Sequence, residues 1–266
     1  MLKLKEFQLG TMSDAGVVAM VGRRGSGKST ILTNIMYEKR RIPDGIGCSG
    51  SEESNGALAK FMPETYIYND YNKSAVQAAV DRARALNRNR QERHMPMKYT
   101  FVILDDCSCD KAFTGDPLLK FILMNGRHYG IFFVFTMQYP LAVGPQLRSQ
   151  IDYVFLSFEP ILKNRRTLWE NYAGVFPTYN EFSETMAAVC QDYRCMVIVQ
   201  NKPTSTIEEC VFWFKAKPAL PDFKVGSVIY WEAHFAHYDS AHTLTPLDDK
   251  KTGKKKYKVK VQLVSR

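Results

Sequence analysis

The chain has 266 residues, of which 45% are hydrophobic and 12% aromatic. This is enough for one large domain or two small ones with a substantial core, and it excludes disorder along the whole chain. The net charge of +9 comes from residues 250–266, which hold seven Lys, one Arg and no acidic residue. Without those eight, 28 of the 36 basic residues remain against 27 acidic ones, so residues 1–249 are nearly neutral. The longest apolar run, Ile131–Met137, is far below the roughly 18 residues that a membrane-spanning helix needs, so no transmembrane segment is expected.

The first predicted elements surround a glycine-rich turn. Apolar residues at Val17–Val21 predict a short buried strand, and a helical pattern runs from Lys28 to about Arg40. Residues 41–98 are less regular, with a short strand at Tyr66–Tyr68 and a helix from Ser74 to about Arg93.

Further along, strands and helices alternate. The predicted elements are a strand at Tyr99–Leu104, a helix opened by Asp116 and Pro117, strands at Ile131–Thr136 and Asp152–Ser157, a helix at Asn164–Tyr172, a helix from the capping box Thr178/Glu181 to about Gln191, and a strand at Cys195–Val199. This order predicts an α/β fold, with a mostly parallel sheet flanked by helices. We expect a domain over residues 1–215, with its core at about 15–200, and a C-terminal extension over 216–266 that carries the Lys-rich tail.

A phosphate-binding loop follows the first strand. The pattern G-x-x-x-x-G-K-[ST] is matched by Gly22, Arg23, Arg24, Gly25, Ser26, Gly27, Lys28 and Ser29, followed by Thr30. Glycines let consecutive N–H groups face phosphate oxygens, and the helix adds the positive end of its dipole. Lys28 is expected to reach the β- and γ-phosphates of ATP, and Ser29 to offer its hydroxyl to Mg²⁺.

Two carboxylates end the strand at Tyr99–Leu104. Because parallel strands end at the same edge of a sheet, Asp105 can face the Mg²⁺ held by Ser29. Asp106 is then placed to polarise the attacking water.

Three further polar residues are candidates for the same reaction. Gln138 ends the strand at Ile131–Thr136 and could hydrogen-bond the γ-phosphate or its water. Arg127 precedes that strand, at the opposite edge, so it is expected to reach a neighbouring subunit's ATP as an arginine finger. Arg148 lies ten residues beyond Gln138, after the carboxyl edge, and is the second candidate.

The segments GRRGSGKST, FVILDDC, GRHYGIFFVFTMQYP and QLRSQIDYVF together resemble the HerA/FtsK superfamily of ring-forming DNA-pumping ATPases. Within it, they resemble the poxvirus-type genome-packaging ATPases of large double-stranded DNA viruses, over roughly residues 15–200. The family pattern implies a RecA-like P-loop core, the loop Lys28, acidic Asp105 and Asp106, a sensor-like Gln138 and a trans-acting Arg127. Many relatives carry Glu at the second acidic position, so Asp106 is one methylene shorter.

The resemblance also implies a function and partners. These are an ATP-driven motor that moves viral double-stranded DNA into a preformed capsid, working with Mg²⁺ as a homo-oligomeric ring. Capsid or internal-membrane proteins at the packaging site would be further partners, and the protein would be found in the virion or at the virus-assembly site in the host cytoplasm.

Other P-loop functions stay open at this stage. A GTPase is suggested by Asn201-Lys202-Pro203-Thr204, which resembles the guanine motif N-K-x-D except at Thr204. A nucleotide kinase would share the loop but needs an arginine-bearing lid, which is not evident. An ATP-binding scaffold protein is the third alternative.

Two basic features could contact DNA phosphates without reading sequence. One is the predicted helix that carries Arg82, Arg84, Arg88, Arg90 and Arg93, and the other is the Lys-rich tail. Each could equally be a solvated surface.

Overall fold

The computed structural model describes residues 2–107 and 115–237. Within these residues the strands are β1 Val17–Val21, β2 Gly45–Ser49, β3 Ile67–Tyr68, β4 Thr100–Asp105, β5 Ile131–Met137, β6 Tyr153–Leu156, β7 Arg194–Val199 and β8 Val211–Lys215. The α-helices are α1 Lys28–Glu38, α2 Glu52–Asn55, α3 Lys73–Glu92, α4 Pro117–Asn125, α5 Pro145–Arg148, α6 Leu162–Tyr172, α7 Tyr179–Val189, α8 Ile207–Cys210 and α9 Val228–His237. Short 3₁₀ turns lie at Leu9–Thr11, Glu64–Tyr66 and Gly126–Tyr129.

All the strands join one sheet, in the order β3-β2-β4-β5-β1-β6-β7-β8. The first six in this order are parallel, and β7 and β8 are added as antiparallel neighbours. The predicted α/β fold with a mostly parallel sheet flanked by helices is therefore confirmed. Because β5 separates β1 from β4, the ends of these three strands form a continuous carboxyl edge, where ligands bind in such sheets.

Both faces of the sheet are buried. Alternate residues of β1 enter opposite layers: Val17 and Val21 pack with α3, α4, α6 and α7, whereas Val18 and Met20 pack with α1 and the chain around Phe61. Double burial explains why the central strands are almost wholly apolar rather than alternating. It also fixes α1, and with it the loop before α1, against the sheet.

Strand β2 was not predicted, because it contains glycines where a typical buried strand has apolar side chains. A Cβ atom at Gly45 would overlap the ring of Phe101 on β4, and one at Gly47 would lie 2.7 Å from Leu58 Cδ1. Neighbouring side chains therefore fill the space that residues of a typical strand would occupy.

The described part of the C-terminal extension packs on the sheet and its neighbouring segments. After β8, α9 anchors itself through Tyr230, whose hydroxyl donates to the Gly45 carbonyl at 2.7 Å and whose ring stacks on Tyr66 at 4.5 Å between centroids. The boundary at residue 215 stays a prediction, and the Lys-rich tail lies outside the described residues. In the part of the chain that the structure describes, no helix is both long and apolar enough to cross a bilayer.

Candidate active site

The loop from Gly22 to Gly27 connects β1 directly to α1, as the sequence predicts. Gly27 caps the helix with φ of 87°, in the left-handed region where other residues are strained. At Gly22, a Cβ atom would lie 2.6 Å from both Ser157 Oγ and Ser26 Oγ. The glycines therefore allow both the turn and the close packing of the loop, and they leave backbone N–H groups at the start of α1 to face an anion.

Lys28 is folded back onto this loop. Its Nζ donates to the carbonyls of Gly22 at 2.7 Å and Arg23 at 3.0 Å. Burial lowers the pKa of the Lys28 ammonium, and the negative charges of Asp106 and Asp105 oppose that change. The two carboxylates thus favour a charged lysine in a partly desolvated position, where its interaction with phosphate is stronger than in water.

Asp105 ends β4 beside the loop and is almost fully buried. Its Oδ2 lies 3.5 Å from Ser29 Oγ, and its Oδ1 accepts a hydrogen bond from Thr136 Oγ1 at 2.8 Å. Burial raises the pKa of Asp105; the Thr136 hydrogen bond, the Lys28 charge and Ser29 lower it. The hydroxyl and carboxylate predicted to share Mg²⁺ therefore lie together.

The oxygen chemistry of this pair fits Mg²⁺. That ion usually takes one or two carboxylates and completes its shell with water and substrate phosphates. Ser26 supplies a second indication, because its Oγ is buried in the loop and has no hydrogen-bond partner among the residues that the structure describes. A phosphate oxygen would satisfy it.

Asp106 contacts the other predicted residue of the site. It adopts φ of 55°, an uncommon conformation for a residue with a side chain, and its N–H donates to Thr136 Oγ1 at 2.8 Å. Its Oδ1 accepts a hydrogen bond from Gln138 Nε2. The proposed water-polarising carboxylate and the proposed sensor are therefore in direct contact.

Thr136 is a site residue that the sequence analysis missed. Its hydroxyl donates to the side chain of Asp105 and accepts from the backbone of Asp106, so it fixes both acids to β5. A signal for it existed: it is the one hydroxyl in the apolar run of β5, two residues before Gln138 and thus on the same face of the strand.

Lys28, Ser29, Asp105, Asp106 and Gln138 line one cavity of about 710 Å³ at the carboxyl edge of the sheet. This volume is within the range of small-molecule sites. The far wall comes from the end of β2 and from α2, which the sequence did not predict. The lining residues are Arg24, Gly25, Gly27, Lys28, Ser29, Thr30, Gly50, Ser51, Ser54, Asn55, Asp105, Asp106 and Gln138.

Arg127 lies at the amino edge of the sheet, in the 3₁₀ turn before β5. Its Nη2 is 3.7 Å from Asp152 Oδ1, and its side chain is 43% exposed. Asp152 Oδ2 in turn accepts from the N–H of Val17, the first residue of β1. Arg127 is therefore separated from the cavity of its own chain by the length of the strands.

Arg148 does not lie where the sequence suggested. Its Nη1 donates to the Val143 carbonyl at 2.7 Å, and it lines a cavity with Val199 and Gln200. Val199 pairs with Tyr153 at the start of β6, so this cavity lies at the amino side. The physical reason is that β6 is parallel to its neighbour, so the chain after Gln138 must cross back before β6 begins.

The GTPase-like motif also lies at that edge. Because β7 is antiparallel to β6, β7 ends at the amino edge of the sheet, and Asn201 and Lys202 follow it there. Lys202 Nζ donates to the Glu209 carbonyl at 2.8 Å. A guanine-binding motif has to lie beside the nucleotide. This position, across the sheet from Lys28, removes the support for that alternative.

The arginines of α3 differ in their surroundings. Arg82 pairs with Asp44 at 2.6 Å, and Arg84 with Asp81 at 3.3 Å. Arg90 Nε donates to the Pro96 carbonyl at 2.6 Å. The two remaining arginines, Arg88 and Arg93, are exposed. This end of α3 lies near the amino edge, because the Asn87 side chain donates to the Tyr129 carbonyl just before β5.

Comparisons with known proteins agree with this geometry. No family model matches the chain. It is 33% identical over 242 residues to uncharacterized protein L437 of Acanthamoeba polyphaga mimivirus, covering 89% of this chain and 84% of that protein. It is 30% identical over 217 residues to uncharacterized protein 088R of Invertebrate iridescent virus 3, covering 80% of this chain and 81% of that protein.

A solved structure shares the fold. It is the genome packaging NTPase B204 from Sulfolobus turreted icosahedral virus 2, in complex with ATP-gammaS. The TM-score is 0.51 at 16% sequence identity, and the similarity covers 79% of this chain and all of B204 (100%). The chain therefore belongs to the family of large-DNA-virus proteins that includes L437 and 088R, and it has the fold of the genome packaging NTPase B204.

Proposed function

We propose that this protein is an ATP-hydrolysing motor that translocates viral double-stranded DNA into a preformed capsid. The observation that carries the proposal is the convergence of Lys28, Asp105, Asp106 and Gln138 on one cavity, although the segments that hold them are widely separated in the sequence. The description of B204 as a genome packaging NTPase, and the large DNA viruses that encode the sequence relatives, support the packaging role.

Each group has a distinct task in phosphoryl transfer. The loop N–H groups and Lys28 hold the β- and γ-phosphates of ATP, which fixes the reacting phosphorus and offsets its charge. Ser29 and Asp105 would hold Mg²⁺, which neutralises charge on the phosphate oxygens when bound.

Asp106 is proposed to orient and polarise the attacking water. Its carboxylate is held by Gln138, and its backbone by Thr136, so its position depends on β5. Gln138 can exchange its bond to Asp106 for one to the γ-phosphate. This exchange would couple the presence of that phosphate to the position of the carboxylate.

The motor role requires partners beyond the nucleotide. We propose a homo-oligomeric ring in which an arginine, with Arg127 preferred, serves the ATP of the neighbouring subunit. Double-stranded DNA would be held by exposed cations such as Arg88 and Arg93 and by the Lys-rich tail. Capsid or internal-membrane proteins would position the ring, in the virion or at the assembly site in the host cytoplasm.

The test is ATP hydrolysis by the purified protein, measured with and without duplex DNA across a range of protein concentrations. A DNA-stimulated rate that rises per subunit with protein concentration is the expected result. ATP binding without hydrolysis would instead indicate a scaffold protein. Hydrolysis that is insensitive to both DNA and concentration would indicate a different P-loop enzyme, such as a nucleotide kinase.

A further inference from the structure

Residues 216–227, here called the crossing segment, run from β8 over the outer side of α1 to α9. Near its start, the Lys217 carbonyl accepts from Asn34 Nδ2 and the Lys217 N–H donates to Asn34 Oδ1, both at 3.0 Å. Towards its end, Phe223 stacks on Phe61 with centroids 5.4 Å apart, and the Val225 N–H donates to the Phe61 carbonyl at 2.9 Å. The segment is thus fixed at both ends, and residues 218–222 between these anchors bridge a gap.

Beneath this bridge lies a second cavity, of about 330 Å³. Its floor is the first two turns of α1, and its walls combine apolar side chains, among them Phe61 and Leu220, with polar ones such as Lys60 and Asp222. Ser29 and Thr30 line both this cavity and the phosphate cavity. The two spaces therefore meet at the amino end of α1.

At this junction, the charged phosphates of a bound nucleotide would end and its nucleoside would begin. Its phosphates fit the polar loop. Beyond the loop, its ribose hydroxyls need hydrogen-bond partners and its base favours contact with apolar and aromatic surface. From Thr30 to Asn34, α1 rises about 6 Å, at roughly 1.5 Å per residue, so the second cavity lies within one nucleoside length of the phosphates.

We propose that the cavity beneath the crossing segment holds the nucleoside half of the bound nucleotide. This inference rests on the proposed function, since it needs the phosphates to lie in the loop. The apolar side chains of the segment would contact the faces of the base, and Thr33 has acceptor capacity left for a ribose hydroxyl because its own hydroxyl donates to the Ser29 carbonyl. The segment after β8, which the family resemblance does not cover, then forms part of the active site.

The test fills this cavity and compares two ligands. Ala219 is exposed at the cavity wall, so Ala219→Trp inserts an indole without disturbing the core. Ala188→Trp is the matched control, because Ala188 is exposed on α7, which packs on the opposite face of the sheet. The affinities of MgATP and of magnesium tripolyphosphate, which has phosphates but no nucleoside, are measured by calorimetry for each protein.

Ala219→Trp is expected to weaken MgATP binding at least tenfold while tripolyphosphate binding stays within twofold of wild type. Leu220→Ala, which removes a wall instead of filling the space, should weaken MgATP alone by a smaller factor. Equal losses for both ligands, or unchanged MgATP affinity in Ala219→Trp, would overturn the inference. If the wild-type protein bound neither ligand, the proposed function itself would fail, and this inference with it.

Discussion

At the scale of single residues, the charge of Lys28 is held between opposing influences. Burial disfavours the ammonium, and Asp105 and Asp106 favour it. Lys28→Ala removes the charge next to the β- and γ-phosphates but leaves β1 and α1 packed through other residues. We expect a loss of at least about 10²–10³ in the ATP hydrolysis rate, comparable to losing one electrostatic contact to a transition state.

Lys163→Ala, at an exposed position on α6, provides the control for Lys28→Ala and should retain wild-type turnover. Urea unfolding of both variants shows whether the fold is intact. A folded Lys28→Ala protein with the wild-type rate would show that the loop is not catalytic.

The two neighbouring acids are expected to fail in different ways when neutralised. Asp105→Asn removes the carboxylate beside Ser29, so Mg²⁺-dependent nucleotide binding should weaken. Asp106→Asn leaves that pair intact, so MgATP should bind normally and be hydrolysed poorly. Equilibrium binding and single-turnover hydrolysis separate the two effects. Identical behaviour of the variants would contradict the division of roles.

Thr136 acts on the reaction only through these acids. Thr136→Val keeps the shape of the side chain but leaves Asp105 Oδ1 without its donor and the Asp106 N–H without its acceptor. We expect a destabilisation of about 1–3 kcal/mol and a fall in kcat, because a buried polar group is left unsatisfied. Thr136→Ser, which keeps the hydroxyl, should restore most of the rate.

The measurement for Thr136 is the kcat for ATP together with the free energy of unfolding. A purely structural role predicts that stability falls while kcat of the folded fraction is unchanged. Failure of Thr136→Ser to recover activity over Thr136→Val would likewise show that the hydroxyl does not position the acids.

At the scale of elements, the parts of the fold that depend on local signals could be predicted from sequence. The Asp116 side chain accepts from the Leu118 N–H and Pro117 begins α4, as predicted. The capping box at Thr178 and Glu181 opens α7 through a hydrogen bond of 3.3 Å. Apolar runs likewise predicted β1, β4 and β5 within a residue or two.

Elements defined by distant contacts were missed. The glycines of β2 do not indicate a strand in the sequence. They are required because the side chains of Phe101 and Leu58 occupy the space that a Cβ atom would need. The crossing segment has no periodicity, since its shape is set by anchors on Asn34 and Phe61.

The candidate site could likewise be predicted only in part. The sequence placed Asp105 and Ser29 together through the rule for parallel strands, but it could not show that Thr136 joins the two acids.

The position of α9 leads to a stability prediction. Tyr230→Phe deletes only the hydroxyl that donates to the Gly45 carbonyl, so this one hydrogen bond is lost. We expect a loss of about 0.5–1.5 kcal/mol in the free energy of unfolding. Tyr230→Ala also removes the stack on Tyr66, and large-to-small changes of aromatic core residues cost about 3–5 kcal/mol. Urea titration followed by tryptophan fluorescence and circular dichroism measures both.

If α9 is part of the same cooperative unit as the sheet, the two probes will give one coincident transition for every variant. Separate transitions, or a Tyr230→Ala protein as stable as wild type, would show that the helix is an independent appendage. This result would also test the predicted domain boundary at residue 215.

At the scale of the whole molecule, the sheet separates two kinds of chemistry. The carboxyl edge carries the phosphate loop and the acids, whereas the amino edge carries exposed cations, among them Arg88, Arg93 and Arg127. The residues of β5 span about 20 Å at roughly 3.3 Å each, so no side chain connects the edges within one chain. A ring that places the amino edge of one subunit against the carboxyl edge of the next would bring the two together.

This arrangement predicts complementation between two inactive proteins. Arg127→Ala keeps its own acids but offers no finger, and Asp106→Asn keeps its finger but hydrolyses poorly. In a mixed ring, an Asp106→Asn subunit can serve the intact site of an Arg127→Ala neighbour. Because arginine fingers contribute factors of roughly 10³–10⁵ in rate, the recovered turnover should stand well above that of either variant alone.

Two controls determine what the mixed ring shows. Arg148→Ala mixed with Asp106→Asn tests the second arginine, whose bond to the Val143 carbonyl ties it to its own chain. Arg127→Lys keeps the charge opposite Asp152 but lacks the planar fork, so it should restore the ion pair and not the hydrolysis rate. Absence of recovery in rings shown to contain both variants, or full activity of Arg127→Ala alone, would reject Arg127. Recovery confined to the Arg148→Ala mixture would transfer the role to that residue, which also lies at the amino side of the sheet, near the start of β6.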